Sequence, residues 1–251
     1  MYRLEIFGVR ITHLTVPELH GQMEQIIHED RKALVLNVNV NCLNLAYEQK
    51  WLRGFLNAVP IVFIDGAGVI MGARILGHRV PPRITYADWI WDLGAFCEKR
   101  GYSLFFLGAR PGVAAEAAEK LQTRHPRLRI VGTHHGYFDK TPGGEENSRV
   151  IHLINSARPN ILVVGFGMPL QERWLLENRE RIDSNIFLTA GGCFRVISGR
   201  VRRAPRWMLD NGLEWLYLGL HDPDRLWRRY LIGNPLFLYR IAKQRMGLLR
   251  F

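Results

Sequence analysis

The stretch ILVVGFGMPLQERW, residues 161–174, has the pattern of a buried strand, a glycine turn and the start of a helix. Residues 161–164 are apolar and mostly β-branched, as is typical of a parallel strand covered on both faces. Gly165 and Gly167 allow a tight turn and close approach of a ligand to the backbone, and Pro169 suits a first helical turn. Because a helix N-terminus presents unpaired amides, this turn is predicted to bind an anion such as phosphate.

Two polar side chains, Gln171 and Glu172, follow this turn directly. Beside a phosphate site, such groups are suited to holding a sugar or a ribose. An ordinary strand-to-helix turn would have the same local pattern, because a single GxG motif has little specificity. The residues of this turn therefore leave both interpretations open.

A second unit of the same kind lies earlier in the chain. An apolar strand at 103–107 is followed by GARPG, residues 108–112, and by a helical pattern, so its helix N-terminus is a second candidate phosphate or nucleotide contact. Strands and helices alternate from 103 to 190, which predicts an α/β fold with a Rossmann-like, doubly wound and mostly parallel sheet.

Polar residues also end two other predicted strands. The strand at 33–40 ends in NVNVN, which would place Asn37, Asn39 and Asn41 on one face, where they bond either a loop or a ligand. The short apolar run at 61–64 is followed directly by Asp65 and then by two glycines, Gly66 and Gly68. A partly buried carboxylate there is suited to acid–base catalysis, although Asp is also a common helix N-cap.

Length and composition limit the class of protein. The chain has 251 residues, of which 47% are hydrophobic, as expected for one large α/β domain or for a domain with an appendage. Its three cysteines are widely spaced, so neither a disulfide framework nor a metal site is predicted, and a reducing cytoplasm is expected. No signal peptide is expected, and no apolar run approaches the roughly 20 residues that span a bilayer.

Positive charge is concentrated near the C-terminus. The chain has a formal net charge of +11, and residues 195–251 contain twelve basic but only four acidic residues. This excess predicts an anionic partner: a nucleic acid, lipid headgroups or a diphosphate. Large apolar residues lie among the arginines, which is typical of an interfacial membrane segment, but amphipathic helices packed on a domain would also fit. We predict an α/β core at 1–194 and a basic, helical, membrane-docking appendage at 195–251.

Seven segments of the chain form a pattern that no single one of them specifies. In this order and spacing they resemble the WecG/TagA/CpsF family of glycosyltransferases, and the resemblance covers nearly the whole chain. The segments are NVNVN at 37–41, IDGAGV at 64–69, GARPGVAAEAAEKL at 108–121, GTHHGYF at 132–138, VVGFGMPLQERW at 163–174, TAGGCFRVISGRVRRAPRWMLDNGLEWLY at 189–217 and DPDRLWRRY at 222–230.

The resemblance implies an inverting hexosyltransferase. It would move a hexose from a UDP-sugar to a sugar that is linked through diphosphate to undecaprenol, as a peripheral protein on the cytoplasmic face of the membrane. Asp65 matches the implied general base, and Arg225 with Arg228 or Arg229 matches the arginines that close over the donor diphosphate. Asn37 stands where the family often has a threonine, which puts a hydroxyl role at that position in doubt.

The resemblance and the turns together give one predicted set of site residues. The expected partners are the UDP-sugar, the polyprenyl-diphosphate-linked acceptor and the anionic inner-membrane surface, with no nucleic acid and with a homo-oligomer possible. No metal or cofactor is expected, because arginines and helix N-termini would stabilise the leaving UDP. With Asp65 as the catalytic residue, the predicted substrate-binding residues are Asn37, Asn39, Arg83, Gly108, Gly136, Tyr137, Gly165, Gly167, Gln171, Glu172, Arg225, Arg228 and Arg229.

Two other functions fit parts of the sequence. A nicotinamide-dependent oxidoreductase would need a fuller GxGxxG motif, and the third glycine is missing after Gly167. A nucleic-acid-binding protein would use the arginine-rich C-terminus and would bind with a steep salt dependence. Within the glycosyltransferase interpretation, the donor sugar stays open among N-acetylmannosamine, its uronic acid and glucose, as does the polysaccharide pathway.

Overall fold

The computed structural model describes residues 3–221, 227–249 and 251. In these residues a two-stranded hairpin and a six-stranded sheet are accompanied by helices. The strands are β1 (Arg3–Ile6), β2 (Val9–Thr12), β3 (Ala33–Val38), β4 (Ile61–Ile64), β5 (Ser103–Gly108), β6 (Arg129–His134), β7 (Ile161–Gly165) and β8 (Ile186–Thr189).

Twelve α-helices are found in the same described residues. A 3-10 turn at Arg179–Arg181 and a π-helical turn at Arg228–Ile232 supplement them. The helices are α1 (Val16–His28), α2 (Val40–Glu48), α3 (Lys50–Ala58), α4 (Ala67–Ile75), α5 (Tyr86–Arg100), α6 (Val113–Arg124), α7 (Glu145–Ala157), α8 (Leu170–Asn178), α9 (Cys193–Ile197), α10 (Arg206–Asp210), α11 (Glu214–His221) and α12 (Gly233–Arg245).

The six-stranded sheet has the order β4-β3-β8-β7-β5-β6. Parallel pairing joins β3 to β8, β8 to β7, β7 to β5 and β5 to β6. Every residue of β3, β4, β5, β7 and β8 is buried, which explains why these strands are apolar runs and not alternating patterns. The predicted α/β fold with a Rossmann-like, mostly parallel sheet is confirmed.

The chain forms two compact units. Unit 1 comprises Met1–Leu14, Asn37–Thr85 and Arg202–Phe251, and unit 2 comprises Thr15–Leu36 and Tyr86–Val201. Within unit 1, α12 packs on α2 and α4, with Phe237 and Ile241 buried. The C-terminal helix thus contributes to the core of unit 1. The functional division at residue 195 stays a prediction.

Unit 2 has its own core, formed where its strands meet the surrounding helices. Phe105 and Phe106 of β5, Phe187 of β8 and Trp174 of α8 are among its largest fully buried side chains. At the end of β5, Gly108 has a φ of +154°, and a Cβ there would lie only 2.5 Å from the Gly165 carbonyl oxygen. The ends of β5 and β7 can approach this closely because residue 108 is a glycine.

The NVNVN segment differs from its predicted conformation. The strand ends at Val38, and Asn39 is the N-cap of α2, with its side-chain oxygen accepting a hydrogen bond from the Cys42 amide at 3.0 Å. The prediction that Asn37, Asn39 and Asn41 share one face of an extended segment is therefore wrong. An Asn side chain satisfies a free helix amide as readily as a loop or a ligand, and here it starts a helix.

The described residues contain no helix that is both long enough and apolar enough to cross a membrane.

Candidate active site

Asp65 follows β4 directly and belongs to unit 1. Its amide donates to the Val38 carbonyl oxygen at 3.0 Å, which fixes the residue at the carboxyl end of β4 beside β3. Its half-buried carboxylate accepts a hydrogen bond from Asn37 Nδ2 at 3.2 Å, and the Thr85 hydroxyl donates to its backbone oxygen at 3.4 Å. The N-cap of α4 is Gly66, so the alternative that Asp65 caps this helix is wrong.

This arrangement suits a general base. Asn37 is nearly fully buried, so its amide is held in place and can orient the carboxylate of Asp65. A carboxylate fixed in one orientation can accept a proton from a hydroxyl that lies beside it. Asn39 lies close by, since a Cβ at Gly66 would be 3.2 Å from the Asn39 Cβ. The predicted residues Asn37, Asn39 and Asp65 are thus brought together.

Arg83 lies in an ion cluster of unit 1. Its Nη1 donates to Glu214 Oε2 at 3.3 Å, and Arg203 Nη1 donates to the other carboxylate oxygen of Glu214. The three side chains are about one-fifth exposed: 19% for Arg83, 18% for Glu214 and 22% for Arg203. The sequence-based set contained Arg83 but neither Glu214 nor Arg203.

The arginines predicted to close over a diphosphate fall in the DPDRLWRRY segment. Arg225 lies outside the described residues. The exposed guanidinium of Arg228 lies over the Trp227 ring at 5.2 Å, and Arg229 lies over the Tyr230 ring at 5.4 Å. Burial raises the pKa of Tyr230; the positive charge of Arg229 opposes this shift, whereas the carboxylates of Glu214 and Asp65 add to it. Arg229 and Asp65 therefore act electrostatically on the same phenol.

Gln171 connects two glycine turns inside unit 2. Its side-chain oxygen accepts hydrogen bonds from the Gly167 and Gly191 amides, each at 3.1 Å, and its Nε2 donates to Glu172 Oε1 at 2.8 Å. Gly167 follows β7 and Gly191 follows β8, so one side chain fixes the carboxyl ends of two neighbouring strands. The turn also starts α8 one residue later than predicted, with Pro169 as N-cap.

Neither Gln171 nor Glu172 has surface open to a ligand in this conformation. Gln171 is 0% exposed and Glu172 is 1% exposed. Burial raises the pKa of Glu172 to about 7, and the hydrogen bond from Gln171 only partly opposes this shift. Oε2 of Glu172 has no hydrogen-bond partner among the residues that the structure describes. The observed contacts of both side chains support the turn from within the protein, and direct contact with a sugar stays a prediction.

Three loops at the ends of β5, β6 and β7 are joined in unit 2. The Gly136 amide donates to the Ala109 carbonyl oxygen at 2.8 Å, and the Ala109 amide donates to the Gly165 carbonyl oxygen at 3.1 Å. A Cβ at Gly136 would lie 2.8 Å from the ring of Phe166, so these loops are closely packed. The structure thus brings together the predicted residues Gly108, Gly136 and Gly165, while the ring of Tyr137 stands 66% exposed beside them.

Lys140 stabilises the loop that follows β6. Its ammonium group donates to the carbonyl oxygens of Gly136 and Phe138 and lies over the rings of Phe138 and Phe166, at 4.2 Å and 4.6 Å. Partial burial lowers the pKa of this lysine. The cation thereby links the backbone around Tyr137 to the β7 turn, a role that the sequence did not indicate.

The sequence model of the glycosyl transferase WecG/TagA/CpsF family matches residues 4–250. The chain belongs to this family. The resemblance carried by the seven segments is thus confirmed, and membership of the WecG/TagA/CpsF family makes the chain a glycosyltransferase. The nicotinamide-dependent and nucleic-acid-binding alternatives gain no support from this match.

Several relatives from Staphylococcus aureus are similar along nearly their whole length. Proteins of strains MW2, NCTC 8325 / PS 47 and COL are each 26% identical to this chain over 243 residues, covering 96% of this chain and 92% of the relative. Each relative is described as an N-acetylglucosaminyldiphosphoundecaprenol N-acetyl-beta-D-mannosaminyltransferase.

No metal site is seen in the described part of this WecG/TagA/CpsF family member. Within residues 3–221, 227–249 and 251, no group of three or more His, Cys, Asp or Glu residues is placed to hold a metal ion. Asp222-Pro223-Asp224, an Asp-x-Asp sequence, lies outside the described residues. Independence from metal ions therefore stays a prediction that has to be tested directly.

Proposed function

We propose that this glycosyltransferase is an inverting hexosyltransferase that uses a UDP-sugar donor and a polyprenyl-diphosphate-linked sugar acceptor. The observation that carries the proposal is the half-buried carboxylate of Asp65, oriented by Asn37 at the carboxyl end of β4. The names of the Staphylococcus aureus relatives support the acceptor class. Among the three sugars left open by the sequence, they favour N-acetylmannosamine, and they favour N-acetylglucosaminyl-diphosphoundecaprenol as acceptor.

The proposed reaction is a single displacement at the anomeric carbon. Asp65 accepts the proton of the acceptor hydroxyl while its oxygen attacks the anomeric carbon from the side opposite the leaving group. The bond from that carbon to the diphosphate oxygen breaks, and UDP departs with the electron pair. Positive charge near the diphosphate stabilises the departing oxygen, with each well-placed donor contributing on the order of 2–4 kcal/mol.

The arginines and glycine turns remain proposed binding groups for the substrates. One of the two adjacent arginines, Arg228 or Arg229, is proposed to contact the diphosphate. Tyr137 is proposed to stack on the uracil base, because a largely exposed aromatic ring beside closely packed glycine loops suits base stacking. Gln171 and Glu172 are proposed to support the β7 turn from behind.

The test is release of UDP from a panel of UDP-hexoses, with a short-chain lipid-diphosphate N-acetylglucosamine as acceptor. We expect acceptor-dependent turnover with UDP-N-acetylmannosamine that persists in EDTA. Loss of turnover in EDTA and recovery with Mg²⁺ or Mn²⁺ would contradict metal independence alone. Silence with every donor, in the presence of lipid vesicles as well, would contradict the proposed reaction.

We also propose that the C-terminal segment docks on the anionic inner-membrane surface. Leu220 of α11 is 71% exposed, and Leu231, next to basic residues in the π-helical turn, is 65% exposed. Exposed apolar side chains beside arginines suit the boundary between lipid headgroups and acyl chains. The proposal includes a peripheral location on the cytoplasmic face of the membrane, and a homo-oligomer stays a prediction.

Point substitutions test membrane docking better than truncation, because α12 buries Phe237 and Ile241 in unit 1. We expect Leu231→Asp to weaken binding to anionic vesicles by about five- to tenfold in a sedimentation assay, because it removes apolar contact and adds repulsion. The matched control is Leu153→Asp, which changes an exposed leucine of α7 in unit 2. Equal binding by both variants and the unsubstituted protein would contradict the proposal.

A further inference from the structure

Glu214 holds two arginines that lie far apart in the sequence. Each oxygen of its carboxylate accepts from a different guanidinium, Oε2 from Arg83 and Oε1 from Arg203. The sequence separations are 131 and 11 residues, so the cluster exists only in the folded unit 1. Two guanidiniums and one carboxylate thus meet in this cluster.

The cluster lies near the same end of β4 as Asp65. The Ile84 amide donates to the Ile64 carbonyl oxygen at 2.8 Å, so the residue after Arg83 runs beside the last residue of β4. The chain just before Glu214 is also close, because a Cβ at Gly212 would lie 3.4 Å from the Cβ of Ala67. Chain segments that flank Arg83 and Glu214 thus contact residues on either side of Asp65 within unit 1.

The chemistry of the cluster suits a diphosphate. Guanidinium groups match the geometry of phosphate oxygens and retain their charge at any physiological pH. Two guanidiniums held close together would repel each other, and the carboxylate of Glu214 offsets that repulsion while fixing both side chains. Partial exposure of all three side chains leaves the cluster accessible to a ligand.

We infer that Arg83 and Arg203 together bind a diphosphate group and that Glu214 is the positioning residue that orients them. This inference rests on the proposed function and extends it to two residues, Arg203 and Glu214, that the sequence did not single out. Both proposed substrates contain a diphosphate, so the UDP-sugar and the lipid-linked acceptor are the two sources that the experiment separates.

The experiment measures KM separately for UDP-N-acetylmannosamine and for the short-chain lipid-diphosphate acceptor. We expect Arg83→Gln and Arg203→Gln each to raise one of these KM values by about ten- to a hundredfold, with a smaller change in kcat, because a charge-assisted contact to phosphate is lost. A rise in the KM for the donor would show that the two arginines bind the diphosphate of the UDP-sugar. A rise in the KM for the acceptor would show that they bind the diphosphate of the lipid-linked sugar.

Substitutions of Glu214 separate positioning from a merely structural ion pair. We expect Glu214→Gln to raise the same KM by about three- to tenfold, because an amide has one oxygen and no negative charge and would turn a donor NH2 group toward one of the guanidiniums, and Glu214→Asp to restore part of the loss. The control Glu29→Gln breaks an exposed ion pair with Arg31, with atoms 2.6 Å apart, and should leave both KM values unchanged. A lower KM in Glu214→Gln would overturn the positioning role, since Glu214 would then compete with the ligand.

Measurements of ligand binding test the diphosphate site independently of the proposed reaction. Calorimetry with UDP, with inorganic pyrophosphate and with the lipid-diphosphate acceptor requires no turnover. If no sugar is transferred but one of these ligands binds and Arg203→Gln weakens its binding at least tenfold, the diphosphate site stands without the proposed reaction. If sugar is transferred and neither arginine variant alters any KM or binding constant more than twofold, the diphosphate site is overturned while the reaction stands.

Discussion

Two regions of this molecule each contain a central glutamate. One glutamate is buried beside a neutral amide, and the other is paired with positive charges. In unit 2, Glu172 is 1% exposed and its hydrogen-bonding neighbour is the neutral amide of Gln171. In unit 1, the side chain of Glu214 is 18% exposed and lies between two guanidiniums. Burial without an opposite charge favours a neutral acid, whereas the partly exposed cluster balances charge with charge.

The difference indicates two separate tasks. The buried network around Gln171 holds backbone atoms of two turns in place, so it is suited to stabilising the fold. The cluster around Glu214 presents charged groups near Asp65 that can exchange one anionic partner for another. We therefore expect substitutions in the first region to reduce stability strongly, and substitutions in the second to act mainly on rate and substrate affinity.

Asp65 provides the largest expected effect and the sharpest test of this contrast. We expect Asp65→Asn to lower kcat by about 10²–10⁴-fold, because loss of a general base removes that much acceleration, while the unfolding temperature changes little. The control is Asp183→Asn, which alters an exposed aspartate paired with Lys32. A folded Asp65→Asn protein with a normal transfer rate would show that another group accepts the proton.

A substitution of Gln171 tests whether the network in unit 2 contributes mainly to stability. Gln171→Ala leaves the amides of Gly167 and Gly191 without their acceptor, so we expect the free energy of unfolding to fall by about 2–4 kcal/mol. Chemical denaturation measures this loss, and Gln25→Ala, at an exposed position of α1, is the control. Unchanged stability would mean that water or neighbouring groups replace the lost hydrogen bonds and that the Gln171 network does not stabilise the two turns.

Glu172 gives a smaller, pH-dependent effect. Its pKa is raised to about 7 from an ordinary value of 4.5, so the folded protein binds a proton more tightly than the unfolded chain. Stability should therefore fall as pH rises from about 4.5 to about 7 and then level off, by about 1–3 kcal/mol in total. Denaturation of the unsubstituted protein and of Glu172→Gln across this range isolates the contribution.

The Glu172→Gln protein should lack that slope, because an amide does not titrate. Glu180→Gln is the control, since its side chain is 82% exposed and its removal should leave the difference between pH 4.5 and pH 7 intact. A parallel decline in all three proteins would assign the pH dependence to other groups.

The sequence was sufficient for the fold and for the position of Asp65 at the end of β4, because apolar runs and the glycines that follow them are local signals. Asparagine and glutamine were harder to interpret, since the same amide binds a sugar or a backbone group equally well. Asn39 caps α2, and Gln171 bonds an amide that follows it by 20 residues. The cluster of Arg83, Arg203 and Glu214 has no local pattern, because it forms only when distant segments fold together.

During synthesis, unit 1 becomes complete later than unit 2. Unit 2 is complete once Val201 has been made, whereas unit 1 is assembled from three separate stretches, the last of which includes α12. Until Phe237 and Ile241 emerge from the ribosome, the core of unit 1 lacks two of its buried side chains. Contacts between such distant stretches form slowly. The surroundings of Asp65 should therefore form only after the third stretch, which includes α12, has been synthesised.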